Sequence, residues 1–226
     1  MRRALNHPRA SGVLLLLSTF LIYIPSLIIP GFFHPHVPRS QVCEQTHLCA
    51  SWSTPWGIIT SNFVWDGYLN NLFLQLVYAV VIFICCVALP KDLQKKVFQY
   101  SALSIWVSTL SVLSLFVVLS EILYLLGKIN SHPLAYGYSV VGYAAAGTAL
   151  AFSVICTLWE LRKGQIRRVL GFLILFVTTL IPLVLLGVSA FFNISAGVNF
   201  PVHLGSFLLS ILVSYNRLNA VEKADT

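Results

Sequence analysis

The sequence predicts an all-α membrane protein built as a single bundle of about six transmembrane helices. Of the 226 residues, 58% are hydrophobic and only 9% are charged, whereas soluble domains carry about 25% charged residues. The apolar residues form six runs, and the basic residues lie in short clusters between them. A chain this apolar could not cover its surface in water, so lipid is its expected solvent, and helices satisfy their own backbone polar groups there.

The six apolar runs cover residues 12–30, 70–89, 98–127, 137–158, 169–192 and 200–215. A helix needs about 20 apolar residues to cross the hydrocarbon core, and each run comes near this length, the last being short. The first run follows two arginines, as a signal peptide would. It is long for a signal peptide, contains Pro25 and Pro30 and has no clear cleavage site, so we expect a retained helix.

The basic residues predict the orientation of the bundle. With the N-terminus in the cytoplasm, only Arg39 and Lys128 fall on outer loops, and the other twelve Lys and Arg residues fall on inner segments. Because cytoplasmic loops are enriched in Lys and Arg, this split predicts that both termini are cytoplasmic. We therefore expect an N-terminal tail at 1–11, a membrane domain at 12–216 with a large outer loop at 31–69, and a C-terminal tail at 217–226. Such a chain would be a multi-pass protein, and we expect it in the plasma membrane.

The cysteines and the net charge restrict the classes of ligand. The charge of +7 is divided among short clusters, as in topology determinants, and this argues against a nucleic-acid groove. Cys85, Cys86 and Cys156 lie in apolar runs and are expected to pack as small hydrophobic side chains. Cys43 and Cys49 lie in the outer loop, where a disulfide and two free thiols both remain open. No four-ligand metal spacing is present, and we expect neither a metal nor an organic cofactor.

Two candidate catalytic residues lie at the outer ends of the fourth and sixth runs. Ser139 lies in a segment dense in small residues, and His203 precedes a small-xxx-small face made by Ser206 and Ser210. The predicted orientation places Ser139 and His203 at similar depth. Serines in membrane helices mostly serve packing, whereas a histidine there indicates function by default. A histidine within hydrogen-bond reach can take the proton of a serine hydroxyl, so the two residues form a sensible dyad.

Tyr143 is the candidate for orienting the histidine. It follows Ser139 by four positions and therefore lies on the same helical face. We expect its ring to stack on the imidazole of His203. No acidic residue is clearly placed to orient His203, so a third member of a catalytic triad is not predicted.

These residues resemble the rhomboid family of intramembrane serine proteases. The nucleophile helix of that family reads Gly-x-Ser-Gly, followed by an aromatic residue and small residues. The positions that match in register are Gly137, Ser139, Tyr143 and Gly147. The last helix of the family reads His-x-x-Gly-x-x-x-Gly, which His203 matches with serines in place of both glycines. The segment 54–63 looks like the start of the family's second helix, and the resemblance spans about residues 50–215.

The resemblance implies an endopeptidase that cleaves single-span membrane proteins near the outer membrane face, with Ser139 as nucleophile and His203 as general base. Two departures stand out. Val140 replaces the glycine that usually follows the nucleophile. The second helix of the family carries His-x-x-x-Asn, which donates to the oxyanion, and here Asn70 and Leu74 occupy those positions. Because an asparagine amide can donate a hydrogen bond, Asn70 (or Asn71) is expected to substitute.

Two other functions remain open. Val140 and the missing second-helix histidine favour a catalytically inactive rhomboid-like protein that binds transmembrane helices in their traffic or degradation. A small transporter ranks third, because it predicts charged residues near the midplane and the spanning runs have almost none.

Overall fold

The computed structural model describes residues 49–60, 69–89, 91–130, 139–191 and 200–224, and these residues are almost entirely helical. The helices, in chain order, are α1 (Gly57–Thr60), α2 (Leu69–Ala88), α3 (Lys91–Leu125), α4 (Ser139–Arg162), α5 (Ile166–Phe191) and α6 (Phe200–Ala224). Five of the six predicted spans coincide with α2 to α6. The first predicted span, 12–30, lies outside the described residues.

The helix ends differ from the ends of the apolar runs. Helix α3 begins at Lys91, seven residues before the third run, and α6 continues to Ala224 through most of the segment predicted as a C-terminal tail. Hydropathy detects the part of a helix suited to a lipid environment, whereas polar residues such as Lys, Gln and Glu continue a helix readily. The last five runs therefore located α2 to α6 correctly and placed several of their ends wrongly.

Helix α4 is the centre of the bundle and packs against α2, α3, α5 and α6. Its middle is lined by fully buried small residues, which let neighbouring backbones approach closely. These residues are Ala144, Ala145, Ala146 and Ala149. The approach is closest to α6, where a Cβ atom at Gly147 would collide with the Ser210 hydroxyl and the Phe207 carbonyl. The close packing predicted between the fourth and sixth runs is present.

The core has a large and a small cluster. The large one joins α2, α3, α4, α5 and α6 and contains Cys85, Cys86 and Cys156, which are buried free thiols as predicted. The small one joins the segment before α1 to the beginnings of α4 and α6 and the C-terminal half of α3. Its buried members are Ala50, Leu113, Val117, Val140 and Val202.

Within the described residues, two segments are long and apolar enough to cross a membrane, Gln99–Leu125 of α3 and Val140–Arg162 of α4, and Gln75–Ala88 of α2 is apolar but shorter. Length and composition therefore suit a membrane at α3 and α4. The six-span arrangement and its orientation stay predictions.

Candidate functional site

The two candidate catalytic residues lie at the same end of two packed helices. Ser139 is the first residue of α4, and His203 lies in the first turn of α6. The histidine is only 6% exposed, so its imidazole is shielded from bulk solvent. The side chains of Ser139 and Asn70 lie outside the described part of the structure, although both residues belong to described helices, and Gly137 lies outside it altogether.

A buried serine joins the beginnings of α4 and α6. The Ser206 hydroxyl lies 3.2 Å from the carbonyl oxygen of Val140 and 3.0 Å from that of His203, and the residue is fully buried. Its single proton is therefore shared between a carbonyl next to Ser139 and the carbonyl of the candidate base. This arrangement ties the backbone beside one member of the predicted dyad to the backbone of the other.

Tyr143 and His203 are in direct ring contact. Their ring centroids are 4.8 Å apart and the rings cross at 78°, which is the edge-to-face geometry that aromatic pairs prefer. The contact between these rings, expected from the sequence, is therefore present, with an edge-to-face geometry in place of a parallel stack. Because Tyr143 follows Ser139 by about one helical turn, the contact also brings the imidazole to the N-terminal part of α4.

The wall beside the site is apolar. Val140 and Val202, which neighbour Ser139 and His203 in sequence, are both buried and belong to the small core cluster with Leu113 and Val117 of α3. Gly205 continues this packing, since a Cβ atom there would lie 3.3 Å from Val112. The side chain of Val140 is thus accommodated by packing against α3 and α6.

The segment before α1 covers the small cluster. Ala50 is buried in that cluster, and the Thr54 hydroxyl donates to the Cys49 carbonyl at 2.7 Å. Gly57 packs so closely that a Cβ atom would collide with the same carbonyl. Cys49 is disulfide-bonded, and Cys43, the partner considered in the sequence analysis, lies outside the described residues. The disulfide alternative therefore holds for Cys49.

Gln75 is a polar residue of the site region that the sequence analysis missed. It lies on α2, is 1% exposed, and its amide nitrogen lies 3.0 Å from the position that a Cβ atom on Gly142 would occupy. Gly142 follows Ser139 by three positions and so shares its face of α4. The available signal was a glutamine inside an apolar run, which is costly in a membrane and marks a polar interior.

Comparisons with known proteins leave the family open. No family model matches the chain, and no curated protein or solved structure gives a match.

Proposed function

We propose that this chain is a multi-pass membrane protein and an intramembrane serine endopeptidase, with Ser139 as nucleophile and His203 as general base. The observation that carries the proposal is the contact between the N-terminal parts of α4 and α6, made by Ser206 to the Val140 carbonyl and by Tyr143 to the imidazole. This contact brings a buried histidine to the beginning of the helix that starts with Ser139.

The distribution of polar and apolar side chains supports the membrane placement. Large aliphatic side chains follow one another at helical spacing along the exposed face of α5, at Leu170, Ile174, Val177, Ile181 and Val184. Similar exposed apolar faces run along α2 and α3. Hydroxyl residues are instead buried between helices, as at Ser101, Ser104, Ser108, Thr148 and Ser210. Monomeric soluble proteins rarely expose apolar faces of this extent, whereas lipid favours them.

Two features support the orientation. The Lys and Arg residues divide twelve to two in favour of the segments predicted to be cytoplasmic. Cys49, in the segment predicted to be outside, is disulfide-bonded, and disulfides persist in oxidising compartments and are rare in the cytosol. Both point to an outer location for the beginnings of α4 and α6 and to cytoplasmic termini.

In this mechanism the Ser139 hydroxyl oxygen attacks the scissile carbonyl carbon while the hydroxyl proton passes to the His203 imidazole. The carbon–nitrogen bond then breaks, and the imidazolium returns the proton to the departing amine, leaving an ester on Ser139. Water hydrolyses this ester with His203 again as base, which releases the acid and regenerates the serine. Tyr143 holds the imidazole in place by the edge-to-face contact of the two rings.

The oxyanion formed during attack needs hydrogen-bond donors. Ser139 is the first residue of α4, and the first N–H groups of a helix have no partner within the helix. The Ser139 backbone N–H and the Asn70 side chain are the proposed donors. By the rhomboid resemblance, the substrates are single-span proteins cut near the outer face of the bilayer, and helix-destabilising residues help because an intact helix hides its carbonyls.

A second candidate is the inactive rhomboid-like protein that binds transmembrane helices. Val140 favours it, because this side chain is buried against Val202 and Val117 directly after the candidate nucleophile. The absence of a histidine from the second-helix stretch favours it as well.

The test uses purified full-length chain with a fluorescent fluorophosphonate probe and a single-span test substrate. We expect labelling and cleavage in the wild type, and neither in Ser139→Ala or His203→Ala. Ser153→Ala is the matched control, because Ser153 is a buried serine of the same helix whose hydroxyl bonds to the Leu150 carbonyl. Labelling or cleavage that survives Ser139→Ala contradicts the protease, and a wild type that binds the substrate without cleaving it supports the second candidate.

A further inference from the structure

The turn between α4 and α5 carries a dense exposed group of cations. Residues 161–168 are all exposed, and among them are Arg162, Lys163, Arg167 and Arg168. The first turn of α5 contains no acidic residue. We call residues 160–168 the basic turn. The proposed orientation places it on the cytoplasmic side, at the opposite end of α4 from Ser139.

One buried carboxylate organises two of these cations. Glu160 is 1% exposed, and its two oxygens each lie 3.6 Å from a cationic nitrogen, one of Lys163 and one of Arg168. The Lys163 ammonium also lies 4.8 Å from the centroid of the Trp159 ring. Glu160 offsets one positive charge, so the basic turn keeps an excess of three.

The backbone of the basic turn has a defined geometry. Gly164 has a φ of 69°, the left-handed conformation that glycine adopts without strain. The Gly164 N–H donates to the Leu161 carbonyl and the Gln165 N–H to the Glu160 carbonyl, both at 3.0 Å. These two bonds form the Schellman motif that ends α4, and α5 begins at Ile166. The four cations are therefore presented on a short, hydrogen-bonded connection instead of a long loop.

The cations lie where two exposed apolar faces end. Leu158 and Leu161 of α4 are exposed, as are Ile166, Leu170 and Ile174 of α5, with Ile166 70% exposed. A soluble anion or an acidic peptide would pair with the charges and leave these side chains in water. A phospholipid offers a phosphate at the level of the cations and acyl chains along the apolar faces, and it therefore matches both.

We propose that the basic turn is a binding surface for the headgroups of anionic phospholipids in the inner leaflet. This inference rests on the membrane placement in the proposed function and is independent of the proposed catalysis. The lipid phosphate is surrounded by four cations of the basic turn. Two of them, Lys163 and Arg168, are held by Glu160, and the other two are Arg162 and Arg167. Bound lipid then occupies the interfacial ends of α4 and α5.

The experiment measures lipid retention on the full-length chain. The protein is reconstituted in nanodiscs with equal amounts of phosphatidylglycerol and phosphatidylcholine, transferred to a neutral detergent, and examined by native mass spectrometry. We expect the wild type to retain phosphatidylglycerol in preference to phosphatidylcholine. The double variant Arg162→Gln/Arg167→Gln should bind phosphatidylglycerol roughly thirtyfold more weakly, because it loses the attraction of two cations to an anionic lipid surface.

The matched control is Lys95→Gln/Lys96→Gln, which removes the same charge from another cluster predicted to be cytoplasmic. This variant should retain phosphatidylglycerol as the wild type does, and added salt should weaken wild-type binding because surface charges are screened. Equal loss in the two double variants, or no lipid preference in the wild type, overturns the inference. Displacement of the lipid by glycerol phosphate, which has the headgroup chemistry without acyl chains, overturns it in favour of a soluble phosphate ligand.

The inference and the proposed catalysis fail separately. If Ser139→Ala retains phosphatidylglycerol while the wild type shows no Ser139-dependent cleavage or labelling, only the protease is contradicted. If cleavage depends on Ser139 and no lipid preference is found, only the lipid surface is contradicted. Extraction of the chain from membranes by alkaline carbonate contradicts the membrane placement and with it both proposals.

Discussion

The Ser206 hydroxyl lies 3.2 Å from the Val140 carbonyl oxygen and thereby connects the second turn of α6 to the first turn of α4. A glycine at position 206 would allow only close approach of the two helices. The serine keeps a small side chain and adds a polar contact between the helices. Since Val140 follows Ser139 and the same hydroxyl also contacts the His203 carbonyl, its position bears on the geometry of the proposed dyad.

Loss of the Ser206 hydroxyl is expected to lower kcat while leaving KM nearly unchanged. Ser206→Ala removes the contact of the Ser206 hydroxyl with the Val140 carbonyl. The hydroxyl of Ser139 and the imidazole of His203 are then expected to lose part of their alignment. A displacement on the order of 1 Å can cost roughly a hundredfold in rate, and we expect a fall of about tenfold or more. Steady-state cleavage of a single-span substrate provides both constants.

Ser210→Ala is the control for this prediction. Ser210 is also fully buried on α6, one turn further along, but its hydroxyl bonds to the Phe207 carbonyl of its own helix. Both changes remove one buried hydroxyl, so a general loss of packing would affect them alike. Equal kcat values in the two variants would argue that Ser206 serves packing alone.

The pairing of α4 with α6 could be predicted from the sequence, whereas the connection through Ser206 could not. Small residues at spacing four on both runs indicate close approach, and Gly147 does pack directly on α6. Whether Ser206 meets Val140 depends on the relative rotation and height of the two helices, which periodicity does not determine. The same holds for Gln75, whose contact with Gly142 depends on how α2 is rotated against α4.

The Tyr143 ring, more than its hydroxyl, is expected to support activity. Tyr143→Phe keeps the edge-to-face contact with His203, and we expect it to retain most of the wild-type kcat. Tyr143→Leu removes the aromatic pair, which is worth about 0.5–1.5 kcal/mol, and should lower kcat by roughly threefold to tenfold. Steady-state cleavage of a single-span substrate measures kcat for both variants. A Phe variant as impaired as the Leu variant would mean that the phenol hydroxyl is the required group.

Gly147→Ala is expected to destabilise the bundle. The added Cβ atom would collide with the Ser210 hydroxyl and with the Phe207 carbonyl, and a helical carbonyl cannot move away without displacing α6. Overpacking of this kind typically costs about 1–3 kcal/mol. Unfolding in mixed detergent and sodium dodecyl sulfate, followed by circular dichroism, measures the change in free energy of unfolding.

The matched control is Gly171→Ala on α5, where nothing lies within 4 Å of the new Cβ atom. Alanine is the better helix former, so this variant should be neutral or more stable by up to about 1 kcal/mol. If Gly147→Ala and Gly171→Ala have the same free energy of unfolding, α4 and α6 do not approach closely at Gly147.

Alkylation of the denatured chain should distinguish three free thiols from a disulfide pair. Cys85, Cys86 and Cys156 are free, Cys49 is disulfide-bonded, and the chain has five cysteines. Protein purified without reductant should therefore gain three alkyl groups by mass spectrometry, and five after reduction. Cys49→Ser should gain four in both states, since its predicted partner Cys43 becomes a free thiol. Five alkyl groups without reduction would show that the disulfide is absent. Because disulfides persist in oxidising compartments, this result would also withdraw one of the two observations that support an outer location of the site.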